Sequence, residues 1–227
     1  MAIWILHGKM THDALSGFDD NRIKRIIHCV QEVDVFLPHC RGTNHRPDKY
    51  QKEFEKYGGK FCPFAGAEYQ AARFLESAYR FSREGNKTKA EKSLGYSIHF
   101  IQDALCPEHI FPFSEGKNLG PFQPHLSFSV YVALKYGHRG NWSSLVKNAP
   151  LIQIFSSEDL RIKLEEAANW IRGFSCSYVR EDDREIIDEV MGKTSIWRWK
   201  MSDEDIGRWM KKASGLTMGA FLYAQNR

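Results

Sequence analysis

The stretch from Ser93 to His109, Ser-Leu-Gly-Tyr-Ser-Ile-His-Phe-Ile-Gln-Asp-Ala-Leu-Cys-Pro-Glu-His, constrains this chain more than any other. His99 and Asp103 are four residues apart in a segment with helical character, so an imidazole and a carboxylate share one face and can meet on one cation. Pro107 then stops the helix, because proline disfavours helical geometry before it and has no amide to donate, and His109 returns from the following loop. A lone histidine on an apolar face is ordinarily a hydrogen-bonded core residue. Here the balance shifts: Asp103 sits among Ile98, Phe100, Ile101, Ala104 and Leu105, where an unpaired carboxylate is costly to bury. A zinc ion would supply the missing charge.

Around this motif the chain reads as a succession of helices. Asp19-Asp20-Asn21 is a good start for a helix over Arg22 to Val33. Ala65, Tyr69, Ala72, Leu75 and Tyr79 recur at helical spacing and predict a helix from Phe61 to Ser82. A polar turn around Gly85-Asn86 leads into the motif helix, Thr88 to Leu105, where small Gly95 and Ser97 permit close approach of a neighbour. Further helices are expected from Leu126 to Tyr136, after the Ser156-Ser157-Glu158 cap, from Glu181 to Met191, and from Ile206 to Gln225. No strand pattern is persuasive, so the expected class is all-α. With neither internal repeat nor linker, residues 1–227 are expected to form a single domain.

Composition narrows the partners. A formal charge of +4 suits an anionic substrate but is too small to signal nucleic acid. The five cysteines, Cys29, Cys40, Cys62, Cys106 and Cys176, form no CxxC pair, and small buried thiols are the favoured reading. No apolar run is long enough to span a bilayer, and Ile3 to Leu6 is too short for a signal peptide, so the chain reads as soluble, either cytoplasmic or secreted after processing. Trp197 and Trp199 offer either a substrate or membrane-surface platform or, more in keeping with their type, core packing.

The run Leu94-Gly95-Tyr96-Ser97-Ile98-His99-Phe100-Ile101-Gln102-Asp103, continuing to Pro107-Glu108-His109, resembles the signature of the zinc-dependent phospholipase C family, which includes alpha-toxin-like enzymes and is related to fungal zinc single-strand nucleases. The resemblance implies an all-α helical fold holding two or three zinc ions. It implies His45, in Asn44-His45-Arg46-Pro47-Asp48, as the ligand sharing a zinc with His99 and Asp103, with His39 as the rival. It also implies Asp34 as the catalytic carboxylate, with Asp48 as the rival, and His109 with His125 at a second zinc. The glutamate that this family carries one turn after that last histidine is Ser129 here, leaving Glu115, Glu108 or water to fill the place. His12 is the amino-terminal histidine that the resemblance selects. The family's chelating terminal tryptophan corresponds to Trp4, so either Met1 or Ala2 supplies the amino group, processing exposes Trp4, or that site is incomplete.

The expected activity is zinc-dependent hydrolysis of a phosphodiester: zinc held mainly by neutral histidines keeps positive charge, makes hydroxide from water near neutral pH and clamps the phosphoryl oxygens. Asp34 would orient or deprotonate that water. The substrate implied by the resemblance is a phospholipid, cleaved to diacylglycerol and a phosphorylated head group, with transient contact to a membrane surface. Two other readings stand beside it: a single-strand-specific zinc nuclease, which needs an aromatic stacking pocket, and a non-catalytic helical protein with one structural zinc.

Overall fold

A computed structural model describes residues 2–36, 66–107, 132, 136, 142–174, 176–181 and 196–225, with 2–5, 34–36, 176–181 and 196–200 described by their backbone alone. The described elements are α1 (Ala2–Ala14), α2 (Asp20–Phe36), α3 (Ala67–Arg83), α4 (Lys87–Leu105), α5 (Trp142–Lys147), α6 (Ser157–Arg172), β1 (Cys176–Glu181), β2 (Ile196–Met201) and α7 (Asp203–Ala224). The class is all-α, as the helical periodicity requires, with one two-stranded antiparallel ribbon added.

Local chemistry sets the helix boundaries. The Asp19 carboxylate accepts a hydrogen bond from the Arg22 amide at 2.7 Å and starts α2. Asn86 accepts from the Lys89 amide at 3.2 Å to start α4, directly after Gly85, whose φ of 72° turns the chain out of α3. Ser156 and Ser202 play the same part for α6 and α7, each accepting from the amide three residues on at 3.0 Å.

The motif helix is the axis of the bundle. From Ala90 onward α4 is buried on nearly every side, packing most extensively on α3 and then on α2 and α7. A helix enclosed in this way must place its polar side chains against partners. Ser97 Oγ donates to the Ala71 carbonyl at 2.7 Å, and Glu91 takes a bidentate pair of hydrogen bonds from Arg25 at 2.6 and 2.9 Å. Gly95 is where α2 crosses: a Cβ there would stand 2.5 Å from Cys29 Cβ and 2.9 Å from the Ile26 carbonyl oxygen. The segment Ala149–Phe155 lies along α7 in the same manner, with the Ile152 carbonyl where a Cβ on Gly219 would be.

Residues 2–14, which carry no expected element, form a helix. Two strands replace the expectation of none. Glu181, expected to open a helix, instead ends β1, and 182–195 lie outside the described residues. Trp197 and Trp199, read as platform or core, stand in β2, paired in register with Arg180 and Tyr178. Their alternation with Arg198 and Lys200 is a period-two pattern, the signal of a strand. Of the helix expected over 126–136, only Val132 and Tyr136 are described, and both are buried. Among the described residues no helix is long and apolar enough to cross a membrane.

Candidate metal centre

His99 and Asp103 lie on the inward face of α4, 0 % and 4 % exposed, and a third side chain reaches them from α1. That side chain is His7, not His12. One ligand atom from each of His7, His99 and Asp103 fits within a set whose members all lie within 4.8 Å of one another, a spacing that can hold a metal ion. His99 Nε2 faces Asp103 Oδ2 at 3.0 Å, His7 Nε2 faces Asp103 Oδ1 at 3.5 Å, and the two rings stand 4.6 Å apart, tilted by 34°.

The opposite edge of each ring fixes its tautomer. His99 Nδ1 is 3.1 Å from the Val30 carbonyl oxygen, and His7 Nδ1 is 2.6 Å from Gln102 Oε1. Both facing atoms are oxygens that accept, so with the Gln102 amide turned this way both Nδ1 atoms carry the proton. In the neutral rings each Nε2 is then a lone pair aimed at a carboxylate oxygen. Two lone pairs facing a buried anion repel it unless a positive charge lies between them. Protonating both rings would put two imidazolium ions side by side in the core. A divalent cation satisfies all three groups at once, and a donor set of two imidazoles and one carboxylate suits a transition-metal ion better than calcium or magnesium.

His12 stands one face away on α1 with its side chain 62 % exposed, and its Nδ1 is 3.3 Å from Asp13 Oδ1, outside the cluster. Asp34 is in α2, in the part described by its backbone alone. Trp4 is likewise known only by its backbone, in α1. His45, His109 and His125, their alternatives His39 and Asp48, and Ser129, Glu108 and Glu115 lie outside the described residues.

The burial pattern along α1 separates His7 from His12. Leu6, His7, Met10, Thr11 and Ala14 are buried, whereas Lys9, His12 and Ser16 are exposed. On a helical wheel His7 falls on the stripe with Thr11, and His12 on the stripe with Lys9.

Asp13, beside His12, ties α1 to the chain beyond the motif. Its carboxylate accepts from Tyr136 Oη at 2.9 Å and Ser143 Oγ at 2.6 Å, with Lys147 Nζ 3.6 Å away. Burial pushes its pKa up, but the hydrogen bonds from Ser143, Tyr136 and His12 and the charge of Lys147 outweigh that and hold it below the usual 3.8. A depressed carboxyl stabilises the fold above its unfolded pKa and loses that contribution as pH falls through the folded value. Asp13→Asn is therefore expected to cost about 2 kcal/mol at pH 7, where charged hydrogen bonds are lost. Urea denaturation should show the gap between variant and wild type narrowing below pH 3.8.

No protein-family model matches this chain, and no curated protein matches it. Among solved structures, the alpha toxin from Clostridium absonum is similar at 16 % sequence identity and a TM-score of 0.45, over 99 % of this chain and 62 % of the toxin's. The chain thus spans less than two thirds of that toxin's length.

Proposed function

We propose that the chain is a zinc-dependent phosphodiester hydrolase of the phospholipase C type, built around His7, His99 and Asp103. The observation that carries this reading is the pair of Nε2 lone pairs converging on one buried carboxylate. Among the described residues the site offers three protein ligands, and a zinc held by three keeps room for water or substrate, the pattern of catalytic rather than closed structural sites. Zinc bound there supplies Lewis acidity towards a phosphate diester and lowers the pKa of a water molecule.

The chain's own residues hold and orient. His7 and His99 supply neutral nitrogen ligands, and Asp103, anionic, leaves the centre with net positive charge towards an anionic diester. Val30 on α2 keeps the His99 ring aligned through its carbonyl. In this reading Asp34 orients or deprotonates the attacking water, and His45, His109 and His125 complete the ligand set for two or three ions. The substrate is a phospholipid, met at a membrane surface and split into diacylglycerol and a phosphorylated head group.

Zinc content by elemental analysis, followed by assays on phosphatidylcholine vesicles and on single-stranded DNA, tests the proposal. Two or three zinc ions per chain with phosphate-ester cleavage of the lipid is the expected result. Cleavage of DNA alone would assign the nuclease reading, and one zinc with no hydrolysis the structural one.

A further inference from the structure

We infer that Gln102 is a positioning residue that decides whether α1 contributes a ligand to the metal centre, by holding His7 in the tautomer that exposes Nε2. The inference rests on the zinc reading above. α1 approaches α2, α5 and α7 more extensively than α4. A polar bridge joins it to α4 at His7. Gln102, 2 % exposed, accepts from His7 Nδ1 through Oε1 at 2.6 Å, and its Nε2 donates to Thr11 Oγ1 at 3.0 Å. Thr11 is one turn beyond His7 on the same helix and fully buried, so both ends of the amide are tied to α1.

The orientation of that amide is chemically decisive. With the carbonyl towards His7, Nδ1 must carry the proton and Nε2 keeps the lone pair that can serve as a ligand. Were the amide reversed, its NH2 would face Nδ1, the ring proton would move to Nε2, and His7 would become a hydrogen-bond donor to Asp103 and no ligand. As the amide stands, its NH2 end donates to Thr11 Oγ1 and is turned from the ring. A neutral amide in this place also orients His7 without adding negative charge, whereas a carboxylate would strengthen the imidazole as a ligand and reduce the net positive charge of the centre.

Three variants test this: Gln102→Leu, which removes the acceptor; Gln102→Glu, which can only accept; and Thr11→Val, which releases the NH2 end. Zinc affinity is measured by competition with a chelator, and the His7 tautomer by the nitrogen shifts of its imidazole in the metal-free protein. Gln102→Leu is expected to weaken zinc binding about 10- to 100-fold, the range typical of groups that orient metal ligands. Gln102→Glu should retain or tighten binding with the Nδ1-protonated ring, and Thr11→Val should shift part of the population to the Nε2-protonated ring. A Gln102→Leu protein that binds zinc as wild type does, with an unchanged tautomer, overturns the inference while leaving the zinc reading intact. A wild-type protein that binds no zinc overturns the zinc reading itself, and this role with it. If Gln102→Leu fails to fold, the other two variants decide: a Glu variant that loses zinc, or a Val variant with an unaltered ring, contradicts it.

Discussion

Asp103→Ala is expected to abolish zinc binding at the central site and to lower phosphodiester hydrolysis by more than about 100-fold, since even the groups that merely orient metal ligands are worth 10- to 100-fold. Asp103 is the one anion among the three clustered groups, and it faces both imidazoles. Without it two neutral rings 4.6 Å apart are left to hold a divalent ion, with nothing between them to offset its charge. Histidine substitutions sharpen the test. His7→Ala should fall with Asp103→Ala in zinc affinity, whereas His12→Ala should bind zinc as wild type does, because its ring is mostly exposed and engaged with Asp13. Isothermal titration with zinc, paired with the lipid assay, reads both quantities. A His12 variant that loses zinc while the His7 variant keeps it would return the amino-terminal ligand to the position that the family resemblance selected.

Gly95→Ala should act on the same centre from a distance. The added methyl would meet the Cys29 side chain and the Ile26 and Val30 backbone, and backbone cannot turn aside as a side-chain tip can. Overpacking of this kind costs about 3 kcal/mol at the upper end, against about 1 kcal/mol gained from alanine's better helix propensity, which leaves a net loss of about 2 kcal/mol. Val30, whose carbonyl holds His99 Nδ1, is one of the residues that must move. The variant should therefore show a lower urea midpoint together with weaker zinc binding. A loss of stability with full zinc affinity would mean that α2 gives way without disturbing His99.

Two of the three clustered side chains were legible from spacing alone. His99 and Asp103 share a face because they are one turn apart in a helix whose apolar pattern, small residues and terminating proline all agree. His7 was not legible in the same way. It follows an apolar run, Ile3 to Leu6, with no clear period, and the family resemblance drew attention to Thr11-His12 instead. What places His7 inward is tertiary: α1 rolls so that Met10 and Ala14 enter the core, and the imidazole one turn before Thr11 goes with them. The Val30 and Gln102 partners were hidden for a related reason. One is a backbone carbonyl on a neighbouring helix, which no residue type announces; the other is an amide three residues after His99, on the same side of the helix, whose partner on α1 only the tertiary packing supplies. The capped starts of α2, α4, α6 and α7 were readable because capping is local chemistry. The β1–β2 ribbon was missed although its alternation was present, because two tryptophans invited a reading by residue type rather than by period.

An anomalous difference map collected at the zinc edge, from crystals grown with zinc, addresses the centre atom by atom. The expected result is a peak about 2.0–2.2 Å from His7 Nε2, His99 Nε2 and an Asp103 carboxylate oxygen, the distances at which zinc binds imidazole and carboxylate. A map with no peak among those three groups, and with the Nε2 atoms hydrogen-bonded directly to Asp103, would contradict the account.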